Sequence, residues 1–420
     1  MLYVERHVIN QSHPAFQEID KASFASKNLY NKALYETRQK FFETGKTISQ
    51  SKLDKLLKQS EEYKALPAKV SQLILMKVYN NWAAFFAGIK EYSINPAKFS
   101  GQPKIPKYLD KNGRFILEYN NQAINAKTAL KNGIIFPSGL IEITMTKQDP
   151  KKIKQFRIVP QSTKFVVEVV YETSDHEKVE LDKSLYASID IGVDNLATVT
   201  LNRPGFVPIA VSGRELKSIN QFYNKRRAEF QALLKKDQYK SKQLKIMDDK
   251  RYWRVQDIFH KASRTIVDML VKEKVGTLII GKNVGWKQNA NMGYKNNQKF
   301  CFIPHARFID MLTYKAQMEG INVICREESY TSKCSFLDNE PICHHEQYVG
   351  KRIKRGLFRS ANGNIINADC NGSYNIMRKE DENVFPKPVV MTRKGIEGYV
   401  VHPNRVTIKM MNSKKLNQIN

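Results

Sequence analysis

The sequence predicts a mixed fold in which an all-α part and an all-β part accompany a larger α/β part. Three observations support this. Residues 15–96 show helical periodicity, residues 97–183 carry short strand-like runs, and residues 184–329 alternate between strand-like and helical patterns. A chain of 420 residues is long enough for two or three such domains.

Helical periodicity runs through three segments, at residues 15–43, 51–58 and 66–95. Apolar residues line one side of each, and lysines and asparagines mark the other side of the third. We expect a small helical domain. Two interpretations stay open here, a plain bundle with a solvated face and a lobe that recognises nucleic acid.

The strand-like runs are separated by Gly, Pro and Asn turns, which is typical of a small barrel or sandwich. They lie at residues 114–120, 133–136, 141–146, 154–159 and 165–171. An N-terminal strand at residues 2–9 is expected to join them. The helical domain would then be inserted between two strands of this sheet.

The α/β part begins with a pair of strands and continues helix, strand, helix, strand. The strands are predicted at residues 185–191, 195–200, 275–281 and 321–325, and the helices at 213–227, 252–271 and 304–319. This is the order of an RNase H-like domain.

The charge of the chain points to a polyanionic partner. Lys and Arg number 69 against 41 acids, which gives a net charge of +28. Nucleic acid is the first candidate partner for such a chain. No apolar run reaches the length of a membrane span, and the N-terminus lacks a signal-peptide pattern. Five cysteines, an odd number, favour a reducing compartment, so we expect a cytoplasmic, nucleoid-associated bacterial protein.

Carboxylates at three places suggest a metal site. Asp190 interrupts an apolar run, and a buried carboxylate needs a compensating charge such as a metal ion. Glu327 and Glu328 are predicted to end a strand, and Asp369 lies just before a short helical run. If these carboxylates converge, they can hold paired Mg²⁺ ions for phosphodiester cleavage. The alternative is a surface hairpin in which Asp190 is only a turn residue.

Five motifs in this order resemble TnpB, the transposon-encoded RNA-guided nucleases related to Fanzor proteins and type V CRISPR effectors. They are Ser188-Ile-Asp-Ile-Gly-Val-Asp194, Tyr223-Asn-Lys-Arg-Arg227, His260-Lys-Ala-Ser-Arg264, Tyr330-Thr-Ser-Lys-Cys334 and Asn367-Ala-Asp-Cys-Asn371. The resemblance implies a RuvC nuclease domain of RNase H-like fold and a guide RNA from the transposon end. It also implies a double-stranded DNA target flanked by a short target-adjacent motif.

The resemblance also implies the division of the chain. The parts are a wedge barrel strand (1–14), a helical recognition lobe (15–96), a wedge β-barrel (97–183), the RuvC domain (184–329), a target-nucleic-acid-binding insert (330–366), the end of the RuvC domain (367–383) and a basic C-terminal tail (384–420). We assign the tail no role and expect its last residues to be disordered. We expect one chain for each guide RNA and no membrane partner.

The position of the catalytic glutamate departs from most of the family. Its usual place, at the end of the second strand, falls at residues 281–283, which contain no acid. Some relatives instead carry a glutamate three residues before a Thr-Ser pair, and Glu328 has that spacing from Thr331. Adjacent strands lie about 4.8 Å apart, so a side chain from the neighbouring strand can reach the same ions.

We therefore assign Asp190, Glu328 and Asp369 as catalytic Mg²⁺ ligands, with Glu327 as the reserve, and expect Gly281 to leave space for the displaced glutamate. The alternative is that the glutamate is lost and the protein binds DNA without cutting it.

The insert departs from the family in its cysteines. Relatives carry two C-x-x-C pairs, whereas this chain has Cys334 and Cys343, and residues 359–363 replace the second pair. We expect no bound zinc, with these two cysteines as weak candidate ligands. The basic residues of the insert indicate a cationic finger that contacts nucleic acid.

The predicted nucleic-acid contacts lie mostly in these motifs. They are Lys104, Lys107, Tyr223, Lys225, Arg226, Arg227, His260, Lys261, Arg264, Thr331, Ser332, Lys333, Arg352, Arg355 and Arg359. For His260 the alternative is an ordinary helix-surface residue. For the whole chain the alternatives are a type V CRISPR effector and a nuclease-inactive RNA-guided regulator. Nothing in the sequence suggests the DNA-end-recognition domain of a transposase.

Overall fold

The computed structural model describes most of the chain. The described residues are 2–120, 134–135, 143–144, 149–172, 179–236, 238–283, 285, 293–385, 391–392, 395–396 and 399–412. They form two compact units, Met1–Asp175 and His176–Asn420. No helix within these ranges is long and apolar enough to cross a membrane.

The helices of the first unit follow the predicted periodicity. They are α1 (Phe16–Thr44), α2 (Gln50–Leu57), α3 (Glu61–Lys64) and α4 (Ala68–Ile94), with a 3-10 turn at Pro96–Lys98. Leu34 of α1 and Val78 of α4 are fully buried in their shared core. The short α3 was not predicted. It begins at Ser60, whose hydroxyl accepts a hydrogen bond from the Tyr63 amide.

The strands of the first unit form an antiparallel sheet in the order β1-β6-β5-β2. These strands are β1 (Leu2–Ile9), β2 (Leu117–Asn120), β5 (Ile153–Pro160) and β6 (Phe165–Glu172), and a separate pair joins β3 (Ile134–Ile135) to β4 (Ile143–Thr144). The strand β1 pairs with β6 along its whole length, so the N-terminal strand joins this sheet as predicted. The rest of the predicted runs 133–136 and 141–146 lies outside the described residues.

The second unit is built on a mixed sheet in the order β11-β10-β7-β8-β9-β17. Its strands are β7 (Asp182–Asp190), β8 (Asn195–Leu201), β9 (Ile209–Ser212), β10 (Val275–Gly281), β11 (Asn322–Arg326) and β17 (Asn404–Val406). The helices between them are α5 (Arg214–Ala232), α6 (Lys242–Lys272), α7 (Tyr294–Phe302) and α8 (His305–Met318). The predicted RNase H-like fold class is confirmed.

Two elements of this unit differ from the prediction. The strand β9 was missed because its four residues, between Pro208 and Gly213, are too few to show a periodicity. The helix α6 begins at Lys242 rather than at residue 252, after Ser241, whose hydroxyl accepts a hydrogen bond from the Leu244 amide.

The insert and the helix after it form a compact module. The strands β12 (Lys351–Lys354), β13 (Leu357–Arg359) and β14 (Ile365–Asn367) make an antiparallel sheet that leads directly into α9 (Ala368–Glu380). Phe336 of the insert stacks on Tyr374 of α9, with ring centroids 4.5 Å apart. The insert is therefore packed against the helix that carries Asp369.

The chain after residue 398 returns to the six-stranded sheet of the second unit. The strand β17 pairs in parallel with β9, with Arg405 opposite Ala210, and Val406 is fully buried. The following helix α10 (Ile408–Asn412) contacts α6. Residues 399–412 thus belong to the second unit and are not a separate tail. No sequence pattern indicated this, because a three-residue strand carries no periodicity. A short pair, β15 (Met391–Thr392) and β16 (Gly395–Ile396), precedes it.

Candidate active site

Asp190 is the last residue of β7, in the interior of the sheet. The neighbouring strand β10 runs parallel to β7, with Ile280 opposite Ile189. The two strands therefore end at the same edge of the sheet, which places Gly281 beside Asp190. Ala187, Ser188 and Ile189 just before it are fully buried, so the chain delivers one carboxylate to the end of the buried part of the strand.

Asp369 lies in the first turn of α9. The Asn367 side chain caps this helix, and its oxygen accepts hydrogen bonds from the amides of Asp369, at 3.0 Å, and Cys370, at 3.1 Å. Asn195 at the start of β8 donates to the Asp369 carboxylate over 2.7 Å. Two asparagines thus fix the backbone and the side chain of this aspartate.

A cluster of buried hydroxyls holds α9 against the sheet. Ser373 of α9 lies 2.9 Å from Thr200 of β8 and 3.0 Å from Ser188 of β7, measured between hydroxyl oxygens. A Cβ atom on Gly372 would lie only 2.9 Å from the Asp190 carboxylate. Only glycine allows the helix to approach Asp190 this closely.

Glu328 lies two residues beyond the end of β11. Its amide donates to the Asn283 side chain over 2.9 Å, and the Thr331 hydroxyl donates to its carbonyl over 2.9 Å. A Cβ atom on Gly281 would lie 3.0 Å from Glu328 Oε1. The glutamate therefore fills the space that the glycine leaves open. The expectation that it ends a buried strand was wrong, because β11 is a partly exposed edge strand.

Glu327 points away from this site. Its carboxylate pairs with Lys379 over 2.6 Å, and half of its side chain is exposed. Of the two adjacent glutamates, only Glu328 lies near Asp190. This orientation follows from the alternation of side chains in extended backbone.

The carboxylates of the site influence one another. Burial, together with the charges of Glu328 and Asp369, raises the pKa of Asp190 well above its usual value. Burial and the charge of Glu327 raise the pKa of Glu328 to about 7. Glu328 Oε1 is buried and has no hydrogen-bond partner among the described residues.

These observations fit a divalent cation. A buried carboxylate oxygen without a donor and an aspartate repelled by two other acids call for a positive charge, and carboxylates are the ligands that Mg²⁺ prefers. The acids do not form one compact group: within the described ranges, no three His, Cys, Asp or Glu side chains meet at single-ion spacing. Asp190 is the residue whose charge interacts with both of the others.

A cationic cavity of about 760 Å³ adjoins Asp369. Its six basic side chains are Arg214, Lys217, Lys299, Arg352, Arg355 and Arg405. Arg352 lies 3.6 Å from the Asp369 carboxylate, and both Lys217 and Arg355 pair with Asp194. The cavity suits a phosphate-bearing ligand next to the carboxylates.

Two family models and one curated protein are similar to this chain in sequence. A family model described as a probable transposase matches residues 168–287, and a model of the Cas12f1-like TNB domain matches residues 305–376. The TnpB-like protein ORF457 of Acidianus two-tailed virus is 23% identical over 410 residues, which cover 87% of this chain and 84% of that protein. The chain is thus similar to this TnpB-like protein over most of its length.

Three solved structures are also similar. A Cas12f1–sgRNA–target DNA complex has a TM-score of 0.38 at 16% identity and covers 90% of this chain and 100% of its own. A CRISPR-Cas12f ternary complex has a TM-score of 0.36 at 14% identity, with coverage of 86% and 80%. The mini-RNA-guided endonuclease CRISPR-Cas_phi3 has a TM-score of 0.43 at 9% identity and 93% coverage of both chains.

The cavity of this TnpB-like chain contains two of the predicted nucleic-acid contacts, Arg352 and Arg355. Sequence reasoning missed Arg214, Lys217, Lys299 and Arg405. The first two belong to the basic stretch at residues 213–227, whose charge was a usable signal. The sequence held no such signal for Arg405, because its position follows from the strand pairing of β17.

Two predicted contacts are corrected by burial. Tyr223 is 7% exposed and its hydroxyl donates to Asp248, while Thr331 is 3% exposed and bonded to the Glu328 carbonyl. Both support the protein's own structure. The other predicted contacts lie outside the cavity.

Among these, ion pairs hold Arg226 to Glu229, Lys261 to Asp257, and Arg264 to both Asp268 and Glu319. The remaining ones are exposed, and they are Lys104, Lys107, Lys225, Arg227, His260, Ser332, Lys333 and Arg359.

The insert is held together by hydrogen bonds near its cysteines. Cys334 is buried, whereas Cys343 is exposed and its sulfur lies 3.4 Å from His345 Nε2. The buried Glu340 carboxylate accepts hydrogen bonds from the amides of Ser335, at 2.7 Å, and Val349, at 3.0 Å. These contacts tie residues 335–349 of the insert together.

Proposed function

We propose that this TnpB-like chain is the RNA-guided DNA endonuclease of a transposon. It would cleave double-stranded DNA next to a short target-adjacent motif. The observation that carries the proposal is the position of Asp190, Glu328 and Asp369 at one end of the RNase H-like sheet, beside a cavity with six basic side chains.

The three carboxylates would together hold paired Mg²⁺ ions. When bound there, the ions supply a nucleophile from water and stabilise the charge that develops on the phosphate. The protein contributes the placement of its ligands. Asn195 orients the Asp369 carboxylate, the amide of Glu328 is fixed by Asn283, and Gly372 lets α9 approach Asp190.

The basic side chains of the cavity would bind the backbone of the strand to be cut. Arginine forms charge-assisted, bidentate hydrogen bonds with phosphate. Arg352 stands 3.6 Å from Asp369, so a phosphate bound to it would lie next to the carboxylates. Such contacts position a strand without reading its sequence.

Sequence choice would come from a guide RNA. Base pairing between guide and target carries specificity in RNA-guided nucleases, while the protein reads the flanking motif. The net charge of +28 provides the electrostatic attraction that an RNA-bound protein needs.

The test is cleavage by the chain loaded with RNA from its own locus, with Asp190→Ala as control. The proposal predicts Mg²⁺-dependent cutting of a plasmid that carries the matching target and flanking sequence. A chain that binds the target and leaves it intact would be a regulator. A chain with no affinity for this RNA would contradict the proposal. A repeat array beside the gene would indicate the type V CRISPR effector instead.

A further inference from the structure

We propose that Arg405, carried by the C-terminal strand β17, binds a backbone phosphate of the substrate strand and positions it against Asp369. The segment 399–412 is thereby part of the active site. This inference rests on the proposed function, because it names a substrate contact of the same site.

The sheet register places Arg405 at the cavity. β17 pairs in parallel with β9, which sets Arg405 opposite Ala210. The next residue, Val406, is fully buried in the core of the unit, so the alternation of the strand turns Arg405 outward. Arg405 lines the same cavity as Asp369 and Arg352.

Asn195 also links Arg405 to the carboxylate of Asp369. Its guanidinium nitrogen lies 3.5 Å from the Asn195 side-chain oxygen, and the Asn195 amide group donates to Asp369 over 2.7 Å. The first distance is at the outer limit of a hydrogen bond, so this contact leaves most of the guanidinium donors available.

The charges of the cavity favour a phosphate at this position. Lys217 and Arg355 already neutralise Asp194, and Arg352 faces Asp369. Arg405 has no ion-pair partner among the described residues, and it is exposed. Six basic and two acidic side chains line the cavity, and Arg405 is one of the six. Such a site favours binding of a ligand that carries an anionic group, such as a phosphate.

The contact can be tested by photo-crosslinking, which does not require cleavage. Arg405→p-azidophenylalanine in the chain loaded with its locus RNA and target DNA should cross-link to DNA on irradiation. Lys409→p-azidophenylalanine is the matched control, because Lys409 is exposed on α10 in the same segment and does not line the cavity. Cross-linking at 405 that does not exceed the level at 409 would overturn the inference.

Single-turnover cleavage gives a second readout. Arg405→Gln should slow cutting about tenfold, as expected for the loss of one phosphate contact, while Arg405→Lys should retain most of the rate and Lys409→Gln all of it. The unfolding temperature of Arg405→Gln should match the wild type, since the side chain is exposed. A normal rate for Arg405→Gln would contradict the inference. Cross-linking by the Arg405→p-azidophenylalanine chain, together with a wild-type chain that never cuts, would refute the proposed function and leave the phosphate contact standing.

Discussion

The Glu328 carboxylate occupies the space above Gly281, and a Cβ atom on that glycine would lie 3.0 Å from Glu328 Oε1. The strand β10 ends at Gly281 without an acid. Glu328, which follows the neighbouring strand β11, supplies a carboxylate at the same place. The glycine is required because the glutamate is there. Any side chain at position 281 would also lie 2.7 Å from Ile376 of α9.

Gly281→Ala tests this relationship. The added methyl group should push Glu328 away from Asp190, and displacement of a catalytic group by a fraction of an ångström costs roughly tenfold or more in rate. We expect cleavage to fall by that amount while target binding is unchanged. Gly101→Ala is the control, because nothing lies within 4 Å of a Cβ at that glycine. Equal cleavage by both variants would show that Glu328 does not depend on the space at Gly281.

The net charge leads to a prediction about purification. The chain should copurify with RNA and release it as salt is raised, because phosphate contacts release counterions. Two measurements are made at low and at high salt. The first is the ratio of nucleic-acid to protein absorbance of the purified chain, and the second is sequencing of the bound RNA. Protein that is free of nucleic acid at low salt and does not bind RNA from its own locus would contradict the proposal of an RNA-guided nuclease.

The insert should fold without zinc. Metal analysis of the purified chain should find well under one zinc per chain, since Cys334 is buried and the described part of the insert contains no group of three side chains that could hold a zinc ion. Stoichiometric zinc that disappears when Cys334 or Cys343 is replaced would show that the insert holds a metal after all.

The hydrogen bonds of Glu340 should carry the stability of the insert instead. Glu340→Ala leaves the amides of Ser335 and Val349 without their acceptor, at a cost of about 1–3 kcal/mol for the buried Ser335 amide and less for the Val349 amide, which water can reach. We expect a lower unfolding temperature, measured by calorimetry, whereas Glu346→Ala, at an exposed position, should change it little. Equal effects would mean that the Glu340 contacts contribute nothing.

A buried lysine predicts a pH-dependent stability. Burial and the nearby Arg264 lower the pKa of Lys315 from 10.5 to about 8. Below pH 8 the ammonium is charged in both the folded and unfolded states, and the folded state bears the full cost of burying it. As the pH rises from 8 to 10.5 the folded state has already lost the proton, so this cost disappears.

Lys315→Met should therefore raise the unfolding temperature at pH 7 by about 2 °C or more, and the gain should shrink toward pH 10. The exposed Lys250→Met on α6 is the matched control and should show neither effect. A gain that is the same at pH 7 and pH 10 would exclude the charge of Lys315 as its cause.

The sequence predicted the positions of two carboxylates where local patterns decide the structure; their catalytic role stays a prediction. The apolar run that ends at Asp190 and the cap that precedes Asp369 are visible in adjacent residues, so both carboxylates were found. Its spacing from Thr331 selected Glu328 over Glu327. In the structure Glu328 lies against Gly281, whereas Glu327 pairs with Lys379.

Long-range pairing decided what the sequence did not predict. The strand β17 has three residues, and only its partner β9, nearly two hundred positions earlier, makes it a strand. For the same reason Arg405 was not predicted in the site. Tyr223 and Thr331 were assigned to nucleic acid because they lie in motifs, but motif membership does not reveal whether a side chain points inward.

The central claim is that Glu328, rather than its neighbour, completes the metal site. Losing a metal ligand raises the barrier by several kcal/mol, and each 1.4 kcal/mol or so is tenfold in rate. Glu328→Gln, like Asp190→Ala and Asp369→Ala, should therefore reduce cleavage at least ~100-fold while target binding survives. Glu327→Gln should retain most of the activity, because that carboxylate pairs with Lys379 away from the site.

The most direct measurement is cleavage and target binding of Glu328→Gln and Glu327→Gln on the same guide-loaded preparations. The account predicts that both variants bind the target and that only Glu327→Gln cuts it. An active Glu328→Gln beside an inactive Glu327→Gln would contradict the assignment, and normal cutting by both would place the catalytic acid elsewhere.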